Sequence, residues 1–171
     1  MEVKILEKSS GKLRNGLILE AKATELPTIH DGWVFNFPNR LKESPNAKAY
    51  KLVLEGELEI LLGCLIFQMV GGIRPYIAYL ECSPENKGKS KKFEWIAGCL
   101  IAFSFKQSLI RGKGDYLGYL ELDVQEKQDI DTIKLMSNYS NKYGFRRFGQ
   151  TTTMCLADED GFNLIREYLE R

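Results

Sequence analysis

The sequence has a single histidine, His30, in 171 residues. A zinc site built from His and Cys is therefore not expected, nor is any other metal site. His30 sits between Thr28-Ile29 and Asp31-Gly32, a turn setting that marks it as a loop residue rather than a base. The four cysteines, Cys64, Cys82, Cys99 and Cys155, include no Cys-x-x-Cys pair. Three lie in apolar stretches, so all four read as reduced thiols of a cytoplasmic protein. Neither sign of charge is in excess: 24 basic side chains face 23 acidic ones, for a net charge of +1. That balance gives no general case for nucleic acid as a partner. No apolar run reaches the roughly 20 residues that cross a bilayer. The longest, 58–70, is interrupted by Glu59, Gly63 and Gln68, so no membrane partner is expected. The first ten residues are mixed and polar, unlike a secretory leader. Repeats, low-complexity tracts and linkers are absent.

What remains fits one soluble globular domain over 1–171, with 44% apolar and 27% charged residues. Segments 3–6 and 16–21 read as strands. Segment 31–38 is aromatic and turn-rich, and 36–46 reads as loop with a helical turn. Beyond Ala49 the pattern is sharper. Strands are predicted over 50–55, 58–70 and 77–83, joined at Glu55-Gly56-Glu57 and at Gly71-Gly72, as an antiparallel meander. A polar loop over 84–92 leads into a helix over 93–111. That helix is apolar nearly all round and should be buried against a sheet. A strand over 117–124, a helix over 129–143 ended by Gly144, a strand over 148–157 and a short helix over 162–169 complete the chain. Phe162, Ile165 and Leu169 are the inward residues predicted for the last helix. The crossover from 77 to 124 requires parallel neighbours. The fold class is therefore α/β, a central mixed sheet flanked by helices.

The chemistry concentrates between residues 79 and 101, where a strand, a lysine- and glycine-rich loop and a buried helix follow one another. The N-terminus of such a helix offers unpaired N–H groups and the positive end of a dipole, a geometry that receives phosphate or pyrophosphate. Lys87, Lys89, Lys91 and Lys92 add charge there; merely solvated lysines are the plainer alternative.

In order and spacing, the last two-thirds of the chain resembles the GNAT acetyltransferase superfamily. In that family a central strand leads to an [R/Q]-x-x-G-x-[G/A] loop and a helix with paired aliphatic residues. A strand, a second helix and a tyrosine–glycine–phenylalanine signature follow. Tyr143-Gly144-Phe145 stands at the signature's place, and Ala97-Gly98-Cys99-Leu100-Ile101 at the start of the first helix. Two registers compete for the loop. Anchoring on the helix maps Lys92-Phe93-Glu94-Trp95-Ile96-Ala97 onto the motif, with Lys92 for its Arg or Gln and Trp95 for its first glycine. Anchoring on the strand maps 85–90 instead and keeps Gly88. The helix anchor is preferred because it keeps Leu100-Ile101 in phase.

The resemblance implies a GNAT-like N-acetyltransferase that carries an acetyl group from acetyl-CoA to an amine. A possible homodimer goes with it. The family places the cofactor on residues matching Cys82, Ser83, Lys92, Trp95, Ile96, Ala97 and Gly98. It also implies that the cofactor's pantetheine arm enters between splayed strands and bonds to backbone near Glu81, Cys82 and Ser83. Among carboxylates, Glu81 is the first candidate for general base and Glu121, on the neighbouring strand, the second, either acting directly or through water. The alternative, and the plainer reading for Glu121, is a solvated residue on a half-covered sheet. The family's acid tyrosine falls at Ser140, so Tyr139, one place earlier, is the candidate acid; Tyr143 is assigned to the core. With no histidine to activate a thiol, direct transfer is favoured over an acyl-cysteine. Trp33, Phe35 and Phe37 either line the acceptor pocket or pack in the core. The alternative to an enzyme is a degenerate member that only binds CoA or a protein.

Overall fold

The computed structural model describes residues 1–126 and 128–171. Its elements are β1 (Glu2–Glu7), β2 (Lys12–Ala21), α1 (Phe37–Glu43), β3 (Ala47–Leu54), β4 (Glu57–Val70), β5 (Arg74–Cys82), β6 (Phe93–Glu94), α2 (Ile96–Arg111), β7 (Tyr119–Asp123), α3 (Asp129–Tyr143), β8 (Arg146–Arg147), β9 (Thr153–Ala157) and α4 (Asp158–Tyr168). The strands form one sheet in the order β6-β1-β2-β3-β4-β5-β7-β9-β8. β1 to β5 form an antiparallel meander. β7 lies parallel to β5, as a crossover through α2 demands. No helix among the described residues is long and apolar enough to cross a membrane.

Two cores sandwich the sheet. One joins α2, α3 and α4 to the strands and includes Leu65, Phe67, Leu100, Ile101, Phe105 and Phe145, all almost fully buried. The other is smaller and seats Trp33 and Phe37 against Cys64 and Ile66. α2 is buried from Ile96 through Phe105 with the single exception of half-buried Ala97, which explains its lack of a polar face.

Four local features differ from the expectations. Residues 93–95 are not helical: Phe93 and Glu94 pair with Glu7 and Leu6 of β1, and Trp95 caps α2 in the left-handed conformation at φ 73°. On β5 the register passes from Ile66 opposite Tyr79 to Phe67 opposite Ile77, so Ala78 is a bulge. An extra residue breaks strict alternation. Ile77, Leu80 and Cys82 consequently face the α2 core, and Ala78 and Tyr79 face the smaller one. The strand expected over 148–157 is a hairpin, β8 and β9, turning through Gly149. In α4 the buried residues are Gly161, Leu164 and Tyr168; Phe162 is largely exposed, its ring edge against Phe105.

Candidate active site

Only two residue pairs join β5 to β7, Tyr76 with Glu121 and Ile77 with Leu122. Beyond them the strands part. The backbone of 78–82 keeps β4 on one side and, among the described residues, has no strand on the other. Two spaces adjoin this gap. A cavity of about 450 Å³ lies on the α2 side, walled by Leu80 and Cys82 of β5, by Trp95, Ile96 and Ala97 at the opening of α2, and by Tyr139 of α3. A smaller cleft of about 140 Å³ sits between the strands, with Phe35, Tyr79, Asp123, Glu126, Leu135 and Tyr139 on its walls. Tyr139 borders both spaces, as do Leu80 and Leu135.

The α2 opening suits an anion. Trp95 holds a backbone conformation that glycine adopts without strain, at the position where the resembled motif carries its first glycine. Its ring lies under the guanidinium of Arg171 at 3.8 Å. Gly98 lets α4 approach: a Cβ there would lie 2.2 Å from the Tyr168 ring. Lys87, Lys91 and Lys142 line the cavity against Glu81 and Glu94, three cations to two anions. Lys91 pairs with Glu94 at 3.3 Å, and Lys142 lies over the ring of Tyr143. The opening of α2, three lysines and an unpaired strand edge therefore fit a diphosphate with an extended amide-bearing arm.

Six of the nine residues singled out from sequence line this cavity: Glu81, Cys82, Trp95, Ile96, Ala97 and Tyr139. Three do not. Ser83 is buried on the other side of the loop, its hydroxyl accepting from Asn86 Nδ2 at 2.8 Å. Lys92 points away with it, paired to Glu85, over a separate acid-rich hollow that both residues line. Gly98 supports α4 instead of the cavity. Lys142 and Leu135 were missed, because only the packing of α3 brings them to the site. Lys87 and Lys91 were visible as loop charge, but not which way each points.

Glu81 is almost fully buried. Its carboxylate accepts from the backbone N–H of Val34 at 2.8 Å and of Phe35 at 3.1 Å, and it pairs with Lys87. It thus ties the 33–35 loop to β5. Glu121 is buried too and pairs with Arg74 at 3.1 Å, so it is not the solvated residue expected. Burial pushes the Cys82 thiol up to about 11, although Lys87, the Ala97 N–H and Lys142 pull the other way. Burial first, then Cys82 and Glu126, push the Tyr139 hydroxyl up to about 12. Ser140 faces a different hollow, beside Ile133 and Arg147. The phase of α3 therefore turns Tyr139, not Ser140, to the gap. Gly144 at φ 72° ends the helix there, with Phe145 N–H reaching back to the Tyr139 carbonyl at 3.3 Å.

No protein-family model and no curated protein matches the sequence. Solved structures do match the fold. AtaTR bound with AcCoA superposes with a TM-score of 0.57 at 12% identity, over 88% of this chain and 98% of that one. A KacTA–DNA complex gives 0.55 at 13% identity, over 89% and 99%. A GNAT family acetyltransferase from Elizabethkingia anophelis, with acetyl-CoA bound, gives 0.50 at 11% identity, over 84% and 98%. The chain has the GNAT acetyltransferase fold. At these identities the likeness is one of architecture.

Proposed function

We propose that this GNAT-fold protein is an N-acetyltransferase, moving an acetyl group directly from acetyl-CoA to an amine. The observation that carries this reading is the position of Tyr139, on the wall shared by the cavity at the α2 opening and the cleft between the parted strands. A group there meets donor and acceptor together.

Acetyl-CoA supplies an activated acyl thioester. Around it, the first turn of α2 with Lys87, Lys91 and Lys142 receives the diphosphate, and the free edge of 78–82 bonds the extended arm as an added strand would. Tyr139, protonated at neutral pH, donates to the departing sulfur. Glu81 positions the loop from which Phe35 enters the acceptor cleft. The Cys82 thiol stays protonated, with no described base beside it, which favours direct transfer over an acyl-cysteine.

Thiol release from acetyl-CoA with a panel of primary amines tests the proposal. Tyr139→Phe should lower kcat by about 10²–10⁴-fold and leave acetyl-CoA affinity unchanged. A chain that binds acetyl-CoA yet releases no thiol with any amine would be a binding module instead.

A further inference from the structure

The cleft between β5 and β7 is lined by two carboxylates, Asp123 and Glu126, and by no lysine, arginine or histidine among the described residues. Asp123 is engaged: it accepts from the Tyr76 hydroxyl at 3.0 Å and from Thr153 Oγ1. Neither Glu81 nor Glu121 lines this cleft; Glu81 is held by the Val34 and Phe35 N–H groups and Lys87, and Glu121 by Arg74. Glu126 differs from all three. It follows the last paired residues of β7, and its backbone N–H donates to Thr132 Oγ1 of α3 at 3.0 Å. Thr132, Leu135 and Tyr139 follow one another at helical spacing. The helix that presents Tyr139 to the cleft therefore also holds the backbone of Glu126 beside it, with the Glu126 side chain exposed to solvent. No described side chain donates to the Glu126 carboxylate. The aromatic rings of Phe35 and Tyr79, 5.1 Å apart, form the wall of the cleft on the α1 side.

We propose that Glu126 receives the acceptor's ammonium group and removes its proton, so that the acceptor is a compact primary amine with no anionic group beside its nitrogen. This rests on the acetyltransferase reading. One proton leaves the ammonium for the Glu126 carboxylate and passes to solvent. The freed nitrogen lone pair forms the new C–N bond as the C–S bond of the thioester breaks. The sulfur takes the Tyr139 proton, and the second proton lost by nitrogen restores Tyr139. An acceptor carrying its own carboxylate next to the amine would meet two like charges in a small cleft.

The test compares 2-phenylethylamine with L-phenylalanine, which differ only by that carboxylate, on the full chain. Wild type should favour 2-phenylethylamine by tenfold or more in kcat/KM. Glu126→Gln should lower kcat by about 10²–10⁴-fold at unchanged acetyl-CoA affinity, and calorimetry without acetyl-CoA should show weakened amine binding. Formate should restore part of the turnover of Glu126→Ala. Equal use of both amines overturns the acceptor class. Wild-type turnover in Glu126→Gln overturns the role of Glu126 but leaves the acetyltransferase reading intact. Lost turnover with no formate rescue and unchanged amine binding makes Glu126 structural, which also overturns the proposal. Absence of turnover by wild type on every amine overturns both readings.

Discussion

Cys82 and Glu81 are neighbours on one strand, and their surroundings set them different tasks. Cys82 faces the cavity, where burial holds its thiol up to about 11. Because the thiolate is the nucleophile, alkylation by iodoacetamide should be slow at pH 7 and rise roughly tenfold per pH unit toward that value. Acetyl-CoA should slow it further by covering the sulfur. Rapid modification at pH 7, indifferent to acetyl-CoA, would contradict the assignment of Cys82 to the cavity wall. Glu81 borders the same cavity, but its carboxylate is held there, accepting from two backbone N–H groups and pairing with Lys87. Glu81→Gln keeps one acceptor oxygen and so leaves one of those N–H groups without a partner, at a cost of about 1–3 kcal/mol in stability. With Phe35 less firmly held, the amine KM should rise while kcat changes only several-fold. A hundredfold loss of kcat at unchanged KM would return Glu81 to the role of base.

At the scale of elements, the contact between α2 and α4 keeps the opening in place. Gly98 admits the Tyr168 ring, and Tyr168 in turn lies near Arg171, which stacks on Trp95. Gly98→Ala should therefore force α4 outward and cost about 1–3 kcal/mol, measurable as a lowered denaturant midpoint at unchanged slope. An unchanged midpoint would mean that the close approach carries no stability. The same elements show what sequence patterns can and cannot carry. α3 was legible to its ends, because its periodicity is local and Gly144 marks its stop. The meander was legible from its glycine turns. β6 was not: two residues become a strand only because β1, about ninety positions earlier, offers an edge. The bulge at Ala78 was equally hidden, since register is set by partners on other strands. The motif alone points to Lys92, but the path of the 84–92 loop turns it to Glu85 and leaves Lys87 and Lys91 at the cavity.

For the molecule as a whole, one sheet brings together what the chain keeps far apart. The parting of β5 from β7 creates the gap, α2 brings its N-terminal opening to one side, and α3 brings Tyr139 to the junction. That the fold would be a mixed sheet with flanking helices was legible in the order of elements; the site's second half, on α3, depended on packing. Acetyl-CoA binding should stabilise this arrangement as a ligand stabilises the state that binds it. The most direct measurement is the thermal midpoint of the full chain as acetyl-CoA is raised. At a concentration a hundred times the dissociation constant, about 2.7 kcal/mol is added, which is a rise of roughly 5–10 °C for a domain of this size. A midpoint that stays flat into the millimolar range would contradict the account.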